Sequence, residues 1–102
     1  MNRYGLQVRM TAIEGQGDAL QEVMLAAARL MEPLPDCHLY IVQRVPDEPD
    51  TVRVTEVWES QAAHAASLAM DEVRELIASA RPLIAGIEHH VVHPVGGKGL
   101  GP

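Results

Sequence analysis

Cys37-His38-Leu39-Tyr40-Ile41-Val42-Gln43-Arg44-Val45 is followed by Pro46-Asp47-Glu48-Pro49-Asp50 and then by Thr51-Val52-Arg53-Val54-Thr55-Glu56-Val57-Trp58-Glu59. Two runs rich in β-branched, aliphatic and aromatic residues thus flank five residues that are charged or proline, which reads as two strands joined by a polar loop. The first strand is apolar on both sides: Leu39 and Ile41 point one way, Tyr40 and Val42 the other. A strand of that kind needs cover on both faces of its sheet.

Upstream, residues 4–13 alternate, with Tyr4, Leu6, Val8, Met10 and Ala12 on one side and Gln7, Arg9 and Thr11 on the other, which predicts a strand. Gly15 and Gly17 break it and Asp18 can begin a helix. Leu20, Val23, Met24, Ala27, Leu30 and Met31 then recur at helical spacing until Pro33 and Pro35 stop them. Downstream, Ser60 is an N-cap candidate ahead of an alanine-rich stretch. Asp71 is a second cap candidate ahead of Val73, Leu76, Ile77, Ala80 and Ile84, so the second helical region is predicted in two segments. Pro82 lies near its end, Gly86 closes it, and residues 87–95 read as a last strand. The order is βαββαβ, which defines an α+β, ferredoxin-like domain with a four-stranded antiparallel sheet and its helices on one face. Residues 1–95 form that single domain and residues 96–102 a glycine-rich tail. The second sheet face is expected to be covered by another copy of the chain, because a twofold homodimer needs only one self-complementary surface.

Bulk properties narrow the partners. At 102 residues the chain buries roughly 60–65% of its unfolded surface on folding, so a partner surface helps it. A net charge of −6 and a pI near 5.2 disfavour nucleic acid and anionic membranes. The first ten residues alternate rather than form the apolar core of a secretory signal, and no apolar run is long enough to span a bilayer; the expected location is cytoplasmic. Cys37 is the only cysteine, which excludes an intrachain disulfide and a thiolate-rich metal site, and it reads as a small buried hydrophobe.

The candidate chemistry begins at Glu56. It alternates with Val52, Val54 and Trp58, a setting that raises a carboxyl pKa and makes either a general base or a neutral donor; an ion pair with Arg9 or Arg53 is the alternative. Trp58, in a chain with no phenylalanine, is a core anchor or a ligand platform. His64 stands among Ala62, Ala63, Ala65 and Ala66, where small neighbours leave room beside the sheet for a histidine that moves protons, or where it is simply solvated. His38 and Tyr40 share a strand face on this reading, and the Tyr40 phenol can hold a substrate oxygen or pack in the core. His89, His90 and His93 form a cluster in sequence only: 89 and 90 face opposite ways on a strand, and 89 and 93 lie roughly 13 Å apart, so a shared metal is not expected. Gly15-Gln16-Gly17 lacks the third glycine and the parallel βαβ context of a phosphate loop and reads as a turn.

The βαββαβ order, Leu39-Tyr40-Ile41-Val42, the Pro46-Asp47-Glu48-Pro49-Asp50 turn, Thr55-Glu56-Val57-Trp58-Glu59-Ser60 with Ala63-His64, and Pro94-Val95-Gly96-Gly97-Lys98-Gly99 together resemble the antibiotic biosynthesis monooxygenase family. The resemblance runs from Tyr4 to Lys98. It implies a dimeric α/β barrel, and an oxidation of quinols or anthrone-like polyketides by O2 without flavin, haem or metal, so that no cofactor is expected and O2 is a co-substrate. By this resemblance Glu56 and His64 are the catalytic candidates, Tyr40 and His38 orient the substrate, and Trp58 walls the pocket. Many members carry a histidine nine residues after the tryptophan, where this chain has Ser67. The haem-degrading branch of the fold needs a helix histidine and a first-strand asparagine; Thr11, Glu75 and Leu76 stand in those regions here, so haem is not implied. The leading expectation is therefore a cofactor-independent monooxygenase for a small hydrophobic aromatic substrate. A non-catalytic dimeric binding module and an isomerase of a small metabolite are the alternatives, to be separated by whether an open cavity borders a buried titratable group and by how polar that cavity is.

Overall fold

The computed structural model describes residues 3–99. Its element order is β1 (Tyr4–Ala12), α1 (Gly17–Met31), β2 (Cys37–Val45), β3 (Glu48–Trp58), α2 (Gln61–Leu68), α3 (Asp71–Ala80), a 3-10 turn (Arg81–Leu83) and β4 (Ile84–Val92). The strands form one antiparallel sheet in the order β2-β3-β1-β4, the α+β ferredoxin-like arrangement expected from the sequence.

Register decides which side chains meet. Across the sheet Tyr40 pairs with Glu56, Glu56 with Leu6, and Leu6 with Val91; the next row is Val42, Val54, Val8 and His89. These rows face the helices. Leu6, Val8, Met10 and Ala12 of β1 and Val52 and Val54 of β3 are buried there against Leu20 of α1 and Ala80 of α3. Met31, Trp58 and Val73 make a second cluster at the far end. α1 lies over β2 and β3 rather than over β4. The helix-side face of β4 is therefore thinly covered, and Ile87 and Val91 remain 48% and 55% exposed. On the opposite face Ile41 and Val92 are 43% and 41% exposed.

Several boundaries differ from the sequence reading, each for a local reason. The polar loop after β2 is only Pro46-Asp47: Val45 pairs with Glu48, and Asp47 takes a positive φ of 67°, so a proline and a left-handed residue close the turn and residues 48–50 join β3. Asp71 is the first helical residue of α3, with Met70 at the cap position. Asp18 lies inside the first turn of α1, whose cap position is Gln16. α3 stops at Ala80 because Pro82 lacks the N–H a helix needs; the chain tightens into the 3-10 turn and enters β4 at Ile84, so Gly86 lies within the strand rather than closing the helix. The last strand ends at Val92, three residues before the expected limit. Of the tail, residues 100–102 lie outside the described residues.

The Gly15-Gln16-Gly17 segment is a turn, as read, and the structure explains why it has no need of a phosphate. Gly15 has a φ of 82°. The Gly15 and Gly17 amides donate to the Asp50 carboxylate at 3.1 and 3.0 Å, so the protein's own anion fills the helix N-terminus. A Cβ on Gly17 would overlap the Pro49 carbonyl oxygen.

Candidate active site

Between the helix-side face of the sheet and the three helices lies a cavity of about 610 Å³, a size suited to a small organic molecule. Leu6, Val8 and Met10 of β1 form its floor, Val23, Met24 and Ala27 of α1 and Val73 and Ile77 of α3 its roof, and it reaches the weakly covered β4 edge at Ile87, His89 and Val91. Its lining is predominantly apolar, with Glu56, His64, Tyr4, Tyr40, Ser67, His89 and Arg81 as the polar exceptions.

Glu56 is 8% exposed, and its position in β3 follows from the alternation that buries Val52, Val54 and Trp58 beside it. The Trp58 indole N–H donates to Glu56 Oε1 at 2.9 Å. Burial pushes the Glu56 carboxyl above its ordinary value, and the indole hydrogen bond works against that shift. Neither Arg9 nor Arg53 pairs with it; Arg9 meets Glu48 instead, at 2.6 Å.

His64 owes its place to the start of α2. The Ser60 hydroxyl accepts from the Ala63 amide at 3.0 Å, and the His64 amide donates to the Ser60 carbonyl at 3.2 Å, so one N-cap fixes the turn carrying the imidazole. Ser67 donates its hydroxyl to the His64 carbonyl at 2.6 Å and closes the same turn from the other side. The ring is flanked by Tyr4, with centroids 5.4 Å apart, and by Trp58 edge-on at 5.6 Å. Its Nε2 lies 3.7 Å from Glu56 Oε1, a charge contact rather than a hydrogen bond. Burial first, and the neighbouring His89 second, lower the His64 pKa, so the imidazole is held neutral near pH 7. Burial, reinforced by the Glu56 and Cys37 charges, raises the Tyr40 pKa and keeps its phenol protonated.

Of the residues singled out from the sequence, Glu56, His64 and Tyr40 come together on the cavity wall. Trp58 does not line it: at 1% exposure it stands behind Glu56 and beside His64, where it positions both and offers no surface to a ligand. His38 is elsewhere. Cys37 pairs with Trp58 and Leu39 with Val57, so His38 is the extra residue of a bulge, the alternation linking it to Tyr40 is broken, and its Nε2 meets Glu59 at 2.7 Å on the surface. Tyr4, Ser67, Arg81 and His89 are cavity residues that the sequence reading did not assign. Tyr4 was accessible to it, standing in the same alternation as Leu6. His89 needed the β1–β4 register, which no pattern in the chain supplies. Among the described residues no group of three or more His, Cys, Asp or Glu side chains is arranged to hold a metal ion.

This is a ferredoxin-like α+β domain with a deep apolar cavity bordered by one carboxyl–imidazole pair. The sequence profile of the antibiotic biosynthesis monooxygenases matches residues 3–79, and the chain belongs to that family. The family match supports a function of the general monooxygenase type. A candidate antibiotic biosynthesis monooxygenase from Chloroflexus aurantiacus J-10-fl is 44% identical, with 97% of this chain and 99% of that one covered and a TM-score of 0.88. A second, from Caulobacter crescentus CB15, is 21% identical over 93% and 92% of the two chains at a TM-score of 0.84, and a Pseudomonas aeruginosa protein is 14% identical over 94% and 97% at 0.86. These last two show likeness of fold. No curated protein matches the chain.

Proposed function

We propose that the protein is a cofactor-independent monooxygenase that oxidises a small quinol, polyphenol or anthrone-like substrate with O2. The observation that carries this reading is the pair of buried Glu56 and half-buried His64 beside an open apolar cavity. Neutral His64 accepts the proton of an acidic phenol or of an anthrone methylene, and the Glu56 carboxylate stabilises the imidazolium across 3.7 Å. The unpaired Tyr40 hydroxyl, with no hydrogen bond among the described residues, holds a substrate oxygen. The substrate anion gives an electron to O2, the two radicals join through a new C–O bond, and loss of water leaves a carbonyl. One oxygen atom stays in the product, the other leaves as water, and the substrate supplies both hydrogens and all the electrons. The dry lining protects the anion from reprotonation by solvent.

The reading includes a homodimer, supported by the exposed apolar side chains on the sheet face away from the helices, and a cytoplasmic setting, supported by the free thiol of Cys37. No described helix is long and apolar enough to cross a membrane. An isomerase for a phosphorylated sugar is a weaker reading, because such a ligand needs several converging cations and a single arginine borders the cavity. Oxygen uptake by the purified protein across a panel of quinols and anthrones is the test. Consumption above the buffer rate that falls on Glu56→Gln and His64→Ala supports turnover at this pair. No consumption with any member leaves a binding module, and unchanged rates in both variants remove the assigned base.

A further inference from the structure

The cavity has one permanent cation. Arg81 caps the C-terminus of α3 and opens the 3-10 turn, is exposed, and borders the cavity together with Ala80, Ile84 and Ile87, on the side where β4 is thinly covered. Its guanidinium makes no ion pair or hydrogen bond among the described residues. Arg9 is engaged with Glu48, and Arg44 with Asp18, Gln21 and the Pro49 carbonyl; among the described arginines Arg81 is the one that lines the cavity. A cation at a helix C-terminus is favoured by the helix dipole, but that interaction is satisfied equally by a side chain pointing to bulk water and does not require a place on the cavity wall.

We infer that Arg81 selects a substrate bearing a carboxylate: an aromatic acid whose ring occupies the apolar interior and whose anionic group stays at the mouth. This deepens the proposed function and rests on its reading of the cavity as the substrate site. The rest of the molecule narrows where an anion can sit. The lining is otherwise mostly apolar, and its remaining polar side chains apart from Glu56, namely Tyr4, Tyr40, His64, Ser67 and His89, carry no permanent positive charge. The inner end already carries the Glu56 carboxyl, which repels a second anion. A net charge of −6 disfavours anions over the surface as a whole, so a single unpaired guanidinium at the opening is the place that reverses the local sign. A guanidinium grips a planar carboxylate through two parallel N–H donors, which fixes orientation as well as position. With the carboxylate held at Arg81, the far end of the ring points inward toward Tyr40 and the Glu56–His64 pair.

The test uses two ligands of one shape that cannot be oxidised at this site, naphthalene-2-carboxylate and its neutral carboxamide, titrated calorimetrically into the full chain. The carboxylate is expected to bind about 10-fold tighter, the equivalent of ~1.4 kcal/mol. That ratio should fall to about 1 in Arg81→Gln, return in part in Arg81→Lys, and shrink as salt is raised. Being a ratio within each variant, it is insensitive to a change in overall stability. A wild-type ratio near 1, a ratio unchanged in Arg81→Gln, or no binding of either ligand overturns the inference. Calorimetry needs no turnover, so a carboxylate preference in a protein that consumes no oxygen leaves this site standing and removes the oxygenase, whereas oxidation of neutral quinols with a ratio near 1 does the reverse.

Discussion

Glu56 loses its water on folding and gains one neutral donor, the Trp58 indole. Its folded pKa therefore lies above the unfolded value, so its contribution favours folding below about pH 4.5 and is lost as the pH rises through the folded pKa. Near neutrality the ionised side chain destabilises the domain. Glu56→Gln keeps an oxygen for the indole and removes the charge, so its melting temperature should exceed that of the wild type at pH 7–8 and the gap should close toward pH 4, as thermal denaturation across that range would reveal. His64 has the opposite sign. A pKa lowered in the folded state means stability present above 6.5 and lost as the pH falls through the folded value. It also places the rising limb of the rate profile below 6.5, because turnover requires the neutral ring. Removing that base in His64→Ala should lower kcat about 100-fold or more. A limb that stays put in His64→Ala would assign the base elsewhere. Glu56 was legible in the chain because strand alternation set it between Val54 and Trp58. His38 was misread for want of any sequence mark for the bulge, and Arg81 and His89 reach the cavity only through tertiary packing.

At the scale of elements, the site depends on two short devices at helix starts. The Ser60 cap was visible from the serine before an alanine run, and it carries His64 one turn later. Ser60→Ala should cost about 1 kcal/mol of stability and should also lower turnover, since the imidazole depends on that turn for its direction. A variant that loses the stability and keeps the wild-type rate would separate the cap from the chemistry. The second device joins α1 to the hairpin: Asp50 receives the Gly15 and Gly17 amides, and Gly17 has no room for a Cβ. Gly17→Ala would force α1 off the β2–β3 hairpin and so widen the cavity roof. The expected loss exceeds the ~1 kcal/mol that alanine gains over glycine within a helix, and a denaturant titration reads it directly. The helical and strand periods gave the order of elements, whereas this clasp joins residues more than thirty positions apart and left no local pattern to read.

At the scale of the whole molecule, the sheet is a slab with one dressed face. The molecule measures 41 × 32 × 19 Å and exposes 6481 Å², against ~5,700 Å² for a typical folded monomer of its mass. The bare face and the largely exposed residues 93–99 both contribute to the excess. Ile41, in β2, projects from that face at 43% exposure, while Tyr40 and Val42 on either side of it pack toward the helices. An arginine at this position is solvated in an isolated chain and stranded in a paired one, because burying an uncompensated charge is far costlier than exposing it. If two copies meet through these sheets, wild-type protein should elute at twice the chain mass by light scattering, and Ile41→Arg should move toward the single-chain mass. The variant should also lose the rise of melting temperature with concentration that association confers, since a partner that binds only the folded state stabilises by mass action. Helical content by circular dichroism should stay unchanged, because the helices lie on the other face. A wild-type chain of single mass whose melting point ignores concentration would show that this face stands wet, and the enclosing second sheet would have to be abandoned while the cavity, built within one chain, would remain.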